Sequence, residues 1–124
     1  MSDKPRILVV EDDLDLQILL KNLLKSEYDL TLAENGLEGL KALEKGPVPD
    51  LIVADIMMPM LDGLTMVDAI KKHRGTEDIP VIFLTAKATP KDVIEGINVG
   101  AKYYITKPFK IDELLSKIRR ILKR

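Results

Sequence analysis

Apolar residues along the chain fall alternately into short continuous runs and into stripes of helical period, with Gly, Pro, Asn or Asp at most of the joins. Runs of strand length occupy residues 6–10, 29–33, 50–54, 80–84 and 102–105, and each is followed by a segment of helical period, so the pattern predicts a βα unit repeated five times. In the first helix Leu16, Leu19, Leu20, Leu23 and Leu24 form one apolar stripe, with Lys21 and Lys25 opposite. Ile111, Leu114, Leu115, Ile118 and Leu122 do the same in the last. Thr89-Pro90 reads as a cap followed by proline at the first helical position, and Gly100 closes that fourth helix, which is expected to be short.

The runs differ in a way that orders the sheet. Ile7-Leu8-Val9-Val10, Leu51-Ile52-Val53-Ala54 and Val81-Ile82-Phe83-Leu84 are apolar throughout, as strands covered on both faces must be. Leu30-Thr31-Leu32 alternates and Tyr103-Tyr104-Ile105 has polar edges, so the second and fifth strands belong at the rims. A doubly wound, flavodoxin-like α/β fold, (βα)5 with five parallel strands in the order 2-1-3-4-5 and right-handed crossovers, satisfies this pattern.

Composition narrows the chemistry. At 124 residues and 46% hydrophobic content the chain is expected to form one domain over residues 1–124, large enough to bury roughly two-thirds of its extended surface without disulfides or a structural metal. It has no cysteine and one histidine, His73, which excludes thiol catalysis and Cys-ligated metals and argues against a serine–histidine triad. His73 sits in the polar run Lys71-Lys72-His73-Arg74 and reads as a surface residue. Nineteen basic residues against twenty acidic ones give a net charge of −1, which predicts no direct nucleic-acid binding. Apolar runs far shorter than the roughly 20 residues of a membrane span predict no membrane association, and the polar start Met1-Ser2-Asp3-Lys4-Pro5 is no secretory signal, so a cytoplasmic location is expected. Lys117, Arg119, Arg120, Lys123 and Arg124 crowd the last helix, where positive charge offsets the helix dipole.

In an open parallel sheet, ligands bind beyond the carboxyl ends of the strands, where the strand order reverses. The residues arriving there are Glu11-Asp12-Asp13 after the first run, Asp55 after the third, Thr85 after the fourth and Lys107 just past the fifth. Carboxylates gathered at one rim repel, and a single lysine cannot neutralise them. Oxygen donors without His or Cys favour a hard cation such as Mg²⁺. Beside such a charge a carboxylate can act as nucleophile toward a phosphoryl group, provided a cation and a hydroxyl meet the phosphoryl oxygens. Asp55, Lys107 and Thr85 supply these parts. Asp13 reads as the cap of the first helix instead of a ligand.

Four motifs carry a resemblance: Ile7-Leu8-Val9-Val10-Glu11-Asp12-Asp13, Asp55-Ile56-Met57-Met58-Pro59-Met60-Leu61-Asp62-Gly63, Leu84-Thr85-Ala86 and Lys107-Pro108-Phe109. Through them nearly the whole chain resembles the receiver domain of bacterial two-component response regulators, the group that includes the single-domain, CheY-like chemotaxis regulator. The resemblance implies that Asp55 is the phosphoacceptor and that Glu11, Asp12, Asp55 and the backbone carbonyl of Met57 bind Mg²⁺. It implies that Thr85 and Lys107 contact the phosphoryl oxygens and that the Lys107-Pro108 bond is cis. Thr85 and Tyr104 would form the switch, coupling phosphorylation to the surface of the fourth helix, fifth strand and fifth helix. Tyr103 faces the other way by strand alternation and should not substitute. Two positions that modulate phosphoryl lifetime in the family are Met57 and Lys87 here; neither is an acid or amide that would orient a hydrolytic water, so self-dephosphorylation outside the fast range is expected.

The implied function is phosphorelay signalling: a phosphoryl group passes from a sensor histidine kinase or histidine phosphotransfer protein to Asp55, which alters affinity for a downstream output protein. On this view the chain is a switch that catalyses only its own modification. It is expected to be a stand-alone receiver, the alternative being the receiver portion of a larger regulator with a DNA-binding or enzymatic output domain. Three rivals fare worse. A haloacid-dehalogenase-type phosphatase needs a second aspartate where Met57 stands. A binding-only module would have a degenerate site. A flavodoxin-like cofactor protein needs a phosphate-cradling loop where this chain has Glu11-Asp12-Asp13, which repels phosphate.

Overall fold

A computed structural model of the chain describes residues 4–86 and 89–123, apart from the side chain of Asp92. Strands β1 (Arg6–Val10), β2 (Asp29–Ala33), β3 (Leu51–Ala54), β4 (Val81–Thr85) and β5 (Tyr103–Thr106) alternate with helices α1 (Leu14–Leu24), α2 (Gly36–Lys45), α3 (Gly63–Lys72), α4 (Pro90–Val99) and α5 (Ile111–Leu122). The strands form one parallel sheet in the order β2-β1-β3-β4-β5, as the run composition predicts. β1 and β2 have the expected bounds, while β3, β4 and β5 each begin one residue later. Pro80 has no N–H to give the ladder, so β4 begins at Val81 and runs through Thr85, which is its last residue and pairs with Thr106.

Period-two alternation sends each strand's side chains into two apolar layers. Leu8, Val10, Ile52, Ala54, Val81 and Phe83 pack under α2, α3 and α4, where Met66, Val67 and Ile70 meet them. Ile7, Val9, Leu51, Val53, Ile82, Leu84 and Ile105 pack under α1 and α5, against Leu20, Leu24, Leu114 and Ile118. The two tyrosines of β5 divide between these layers, Tyr104 with the first and Tyr103 with the second. No helix among the described residues is long and apolar enough to cross a membrane.

Three details differ from the sequence pattern. Leu19 is 41% exposed, and the buried line of α1 runs through Gln17, Leu20 and Leu24 instead. Gln17 is drawn inward because its Nε2 donates to the carbonyls of Glu11 at 3.0 Å and Ala33 at 2.9 Å, joining the ends of β1 and β2. Leu32 on the edge strand is exposed, unlike the alternation expected there. Finally, α4 is ten residues long, the same as α2 and α3. It does end at Gly100, whose φ is +106°. Gly100 N–H donates to Ile97 O and Ala101 N–H to Gly96 O, the paired bonds of a Schellman closure.

Removing Gln17 leaves two buried carbonyls without this donor. Gln17→Ala is expected to lower stability by about 1–3 kcal/mol, read as a lower urea midpoint.

Candidate functional site

Each rim residue is held by one rung of the ladder that continues past its strand. Glu11 N–H donates to Ala33 O at 2.9 Å, Asp55 N–H to Val10 O at 3.1 Å and Lys107 N–H to Thr85 O at 2.9 Å. Glu11, Asp55 and Lys107, read off three different strand ends, therefore converge by parallel pairing alone. Asp13 caps α1, accepting from the N–H groups of Asp15 and Leu16, while its own N–H donates to Glu11 Oε2 at 3.1 Å.

Burial marks the place. The buried polar residues among those described are Glu11, Gln17, Asp55, Thr76 and Thr85. Thr76 has a structural task, since its hydroxyl donates to Ile70 O at 2.7 Å and closes α3. Gln17 has one too, joining the ends of β1 and β2, and the other three, Glu11, Asp55 and Thr85, lie at the carboxyl rim. Polar groups are costly to bury, and their concentration at one edge of the sheet calls for a chemical reason.

Lys107 Nζ lies 2.8 Å from Glu11 Oε1 and 2.8 Å from Asp55 Oδ2. Asp55 Oδ1 accepts the Met57 N–H at 3.3 Å. Burial raises the Glu11 carboxyl above its ordinary value; bonds from Lys107 and the Asp13 N–H pull it back only in part. Burial also presses the Lys107 ammonium downward, but its bonds and charge interactions with Asp55 and Glu11 outweigh this and leave it raised. The lysine is thus firmly cationic between the two carboxylates.

Asp12 is exposed, yet one carboxylate oxygen from each of Glu11, Asp12 and Asp55 lies within 4.8 Å of the others. Three acidic groups against one ammonium leave an excess of negative charge, and an all-oxygen donor set fits a hard divalent cation. Thr85 ends β4 on the same sheet face as Phe83. Tyr104 pairs with Phe83 across β4 and β5, the ring centroids 5.4 Å apart and tilted by 49°. The Lys107-Pro108 bond is cis. Lys87 lies outside the described residues.

Residues 7–119 match the response regulator receiver domain. The chain belongs to that family. Among relatives of this receiver domain, the transcriptional regulatory protein RprY of Bacteroides fragilis is 43% identical over 125 residues, covering all of this chain and 52% of RprY. The DNA-binding dual master transcriptional regulator RpaA of Synechocystis is 40% identical over 97% of this chain and 50% of its own. The receiver thus spans about half the length of these two regulators. Among solved structures, the chemotaxis protein CheY4 of Vibrio cholerae superposes with a TM-score of 0.89 at 28% identity, over 95% of this chain and 98% of CheY4. A CheY-like receiver domain protein from Methanospirillum hungatei gives 0.90 at 30% identity, over 98% and 95% of the two chains.

Two supporting residues escape the sequence pattern. Gln17 is a polar interruption in a leucine-rich helix, and that interruption is the only sign of it. Gly63 stands in a quoted motif, but its tight approach to the Asp55 backbone is visible only in three dimensions.

Proposed function

We propose that this receiver domain takes a phosphoryl group onto Asp55. The observation that carries the reading is the Lys107 ammonium held 2.8 Å from the carboxylate of Asp55 within a buried acidic cluster. The donor is a phosphohistidine of a sensor histidine kinase or histidine phosphotransfer protein. The Asp55 oxygen forms a bond to phosphorus, the phosphorus–nitrogen bond breaks, and the departing imidazole takes a proton from water. Glu11, Asp12, Asp55 and the Met57 carbonyl would hold Mg²⁺, which supplies charge neutralisation at the phosphoryl oxygens. Lys107 would stabilise the same oxygens with its ammonium, and Thr85 would donate its hydroxyl to one of them.

Thr85 and Tyr104 form the switch, since both lie on the sheet face that carries Phe83, beneath α4. The affected surface is α4-β5-α5, where Ile94 and Ile97 of α4 and Ile111 of α5 stand exposed and available to an output protein. The chain acts on itself and not on an external substrate, in the cytoplasm, with residues 1–124 as one receiver domain. A second reading, that it is the receiver portion of a longer regulator, is favoured by the half-length coverage of RpaA and RprY.

The test is mass spectrometry after incubation with a small phosphodonor and Mg²⁺, comparing the parent with Asp55→Asn. One phosphoryl adduct, absent from the variant, is expected; an adduct that persists in Asp55→Asn overturns the assignment. Met57 and Lys87 offer no acid or amide to a hydrolytic water, so decay of the adduct is expected to be slower than that of fast chemotaxis-type receivers, as followed by the loss of labelled phosphate.

A further inference from the structure

Gly96 is the one buried residue among those described on α4, and the group lying against it is the ring of Tyr104. A Cβ at position 96 would overlap the Tyr104 hydroxyl oxygen, and would lie 2.5 Å from Cζ and 3.1 Å from Cε2. The glycine is not there for a left-handed turn, since its φ is an ordinary one. What it supplies is space. The phenol tip fills the notch that a side chain would occupy, and the rest of the ring rests on Phe83 at 5.4 Å.

This contact differs in kind from those at Gly63 and Gly36, and it is far closer than those at Gly39 and Gly100, where the nearest side-chain atom would lie 2.9 Å away. At Gly63 and Gly36 an added Cβ meets backbone of Asp55 and of Leu61, which yields only if an element moves. At Gly96 it meets the far end of one side chain, which can swing away about two torsions. A methyl group at 96 therefore leaves the helix intact and evicts the ring.

We propose that Gly96 is a positioning residue of the switch: its missing side chain is the seat of Tyr104 in one of the ring's two positions, locking the aromatic to α4. The proposal rests on the reading above that Tyr104 is the moving aromatic. While the ring is seated, α4 cannot slide across β5 without carrying it. When the ring leaves, α4 loses its described buried contact at this turn. A change at Thr85 that displaces the ring is thereby delivered to the exposed Ile94 and Ile97 on the same helix. By linkage, anything that alters the seat alters the affinity of the Asp55 site for a phosphoryl group.

The experiment uses four proteins: parent, Gly96→Ala, Tyr104→Ala and the double variant. In the absence of ligand, the Tyr104 ring resonances are expected to shift in Gly96→Ala. Its urea midpoint should fall in the Tyr104 background, where the seat is lost, and rise in the Tyr104→Ala background, where only the helix preference of alanine over glycine remains. Beryllium fluoride with Mg²⁺ then serves as the phosphoryl mimic. Its apparent affinity should change by about five-fold or more in Gly96→Ala, and the same substitution should leave it unchanged once Tyr104 is gone. Unmoved ring resonances, a midpoint that falls equally in both backgrounds, or an affinity change that survives Tyr104→Ala would each overturn the proposal. If the parent itself does not take the mimic, the reading of Asp55 fails, and the resonance and urea arms still decide whether the seat exists.

Discussion

Lys107→Ala is expected to cost about 3–5 kcal/mol of stability without divalent cation, the range for removing one partner of a buried ion pair. Glu11 and Asp55 side chains are 3% and 10% exposed, and Lys107 bridges them with two 2.8 Å contacts. Without the ammonium, two buried carboxylates face each other and Asp12 with no cation among them. Three readouts separate this from a packing defect. Mg²⁺ should restore the urea midpoint of the variant more than it raises that of the parent, because a ligand that binds only the folded state stabilises it by mass action. Asp55→Asn should rescue Lys107→Ala by removing one of the repelling charges, a non-additivity that a double-mutant cycle measures. The third is pH. Glu11 is already raised by burial, and losing the Lys107 bond raises it further. A carboxyl whose folded value exceeds its ordinary 4.5 favours the folded state less as pH climbs through that window, so the deficit should grow above about pH 4.5 and shrink below it. Uptake of phosphate from a small donor should slow by about 10²–10³-fold, the scale for losing one fixed charge-stabilising group. A variant that unfolds within about 0.5 kcal/mol of the parent would show that the bridge carries no weight.

That pair of contacts also marks how far the sequence could be read. Strand order followed from which runs were apolar throughout, because a strand covered by helices on both faces has no polar side to present. Once the order was known, the convergence of Glu11, Asp55 and Lys107 followed too, since parallel strands deliver their carboxyl ends to one rim. What stayed hidden is what depends on distance. Leu19 and Gln17 are two positions apart on α1, and periodicity favours the leucine; two carbonyls at the ends of β1 and β2 reverse the choice. The roles of Gly63 and Gly96 are equally invisible along the chain, because each is defined by an atom of a residue eight positions away and close in space.

Gly63→Ala turns this point into a measurement. Gly63 opens α3, its N–H donating to Ile56 O at 2.8 Å, directly behind Asp55, the proposed phosphoacceptor. A Cβ there would overlap the carbonyl oxygen of Asp55 and sit 3.0 Å from both its carbonyl carbon and the Cα of Ile56. These are backbone atoms on the end of a central strand, so relief requires α3 to back away from β3 or Asp55 to shift. Overpacking of this kind costs about 1–3 kcal/mol, and the upper end is expected because nothing flexible lies in the way. The chemical penalty is separable from the stability loss. A displacement of about 1 Å in a reacting group can slow a reaction by about 10²-fold, so phosphate uptake by folded Gly63→Ala should drop by that order even where urea curves show the protein fully native. Gly46→Ala is the control: its nearest neighbour, Ala42 O, lies at 3.4 Å, and both stability and uptake should match the parent. Equal uptake by the two variants would mean that the loop behind Asp55 absorbs the methyl group, and that close packing of α3 on β3 does not hold the nucleophile in line.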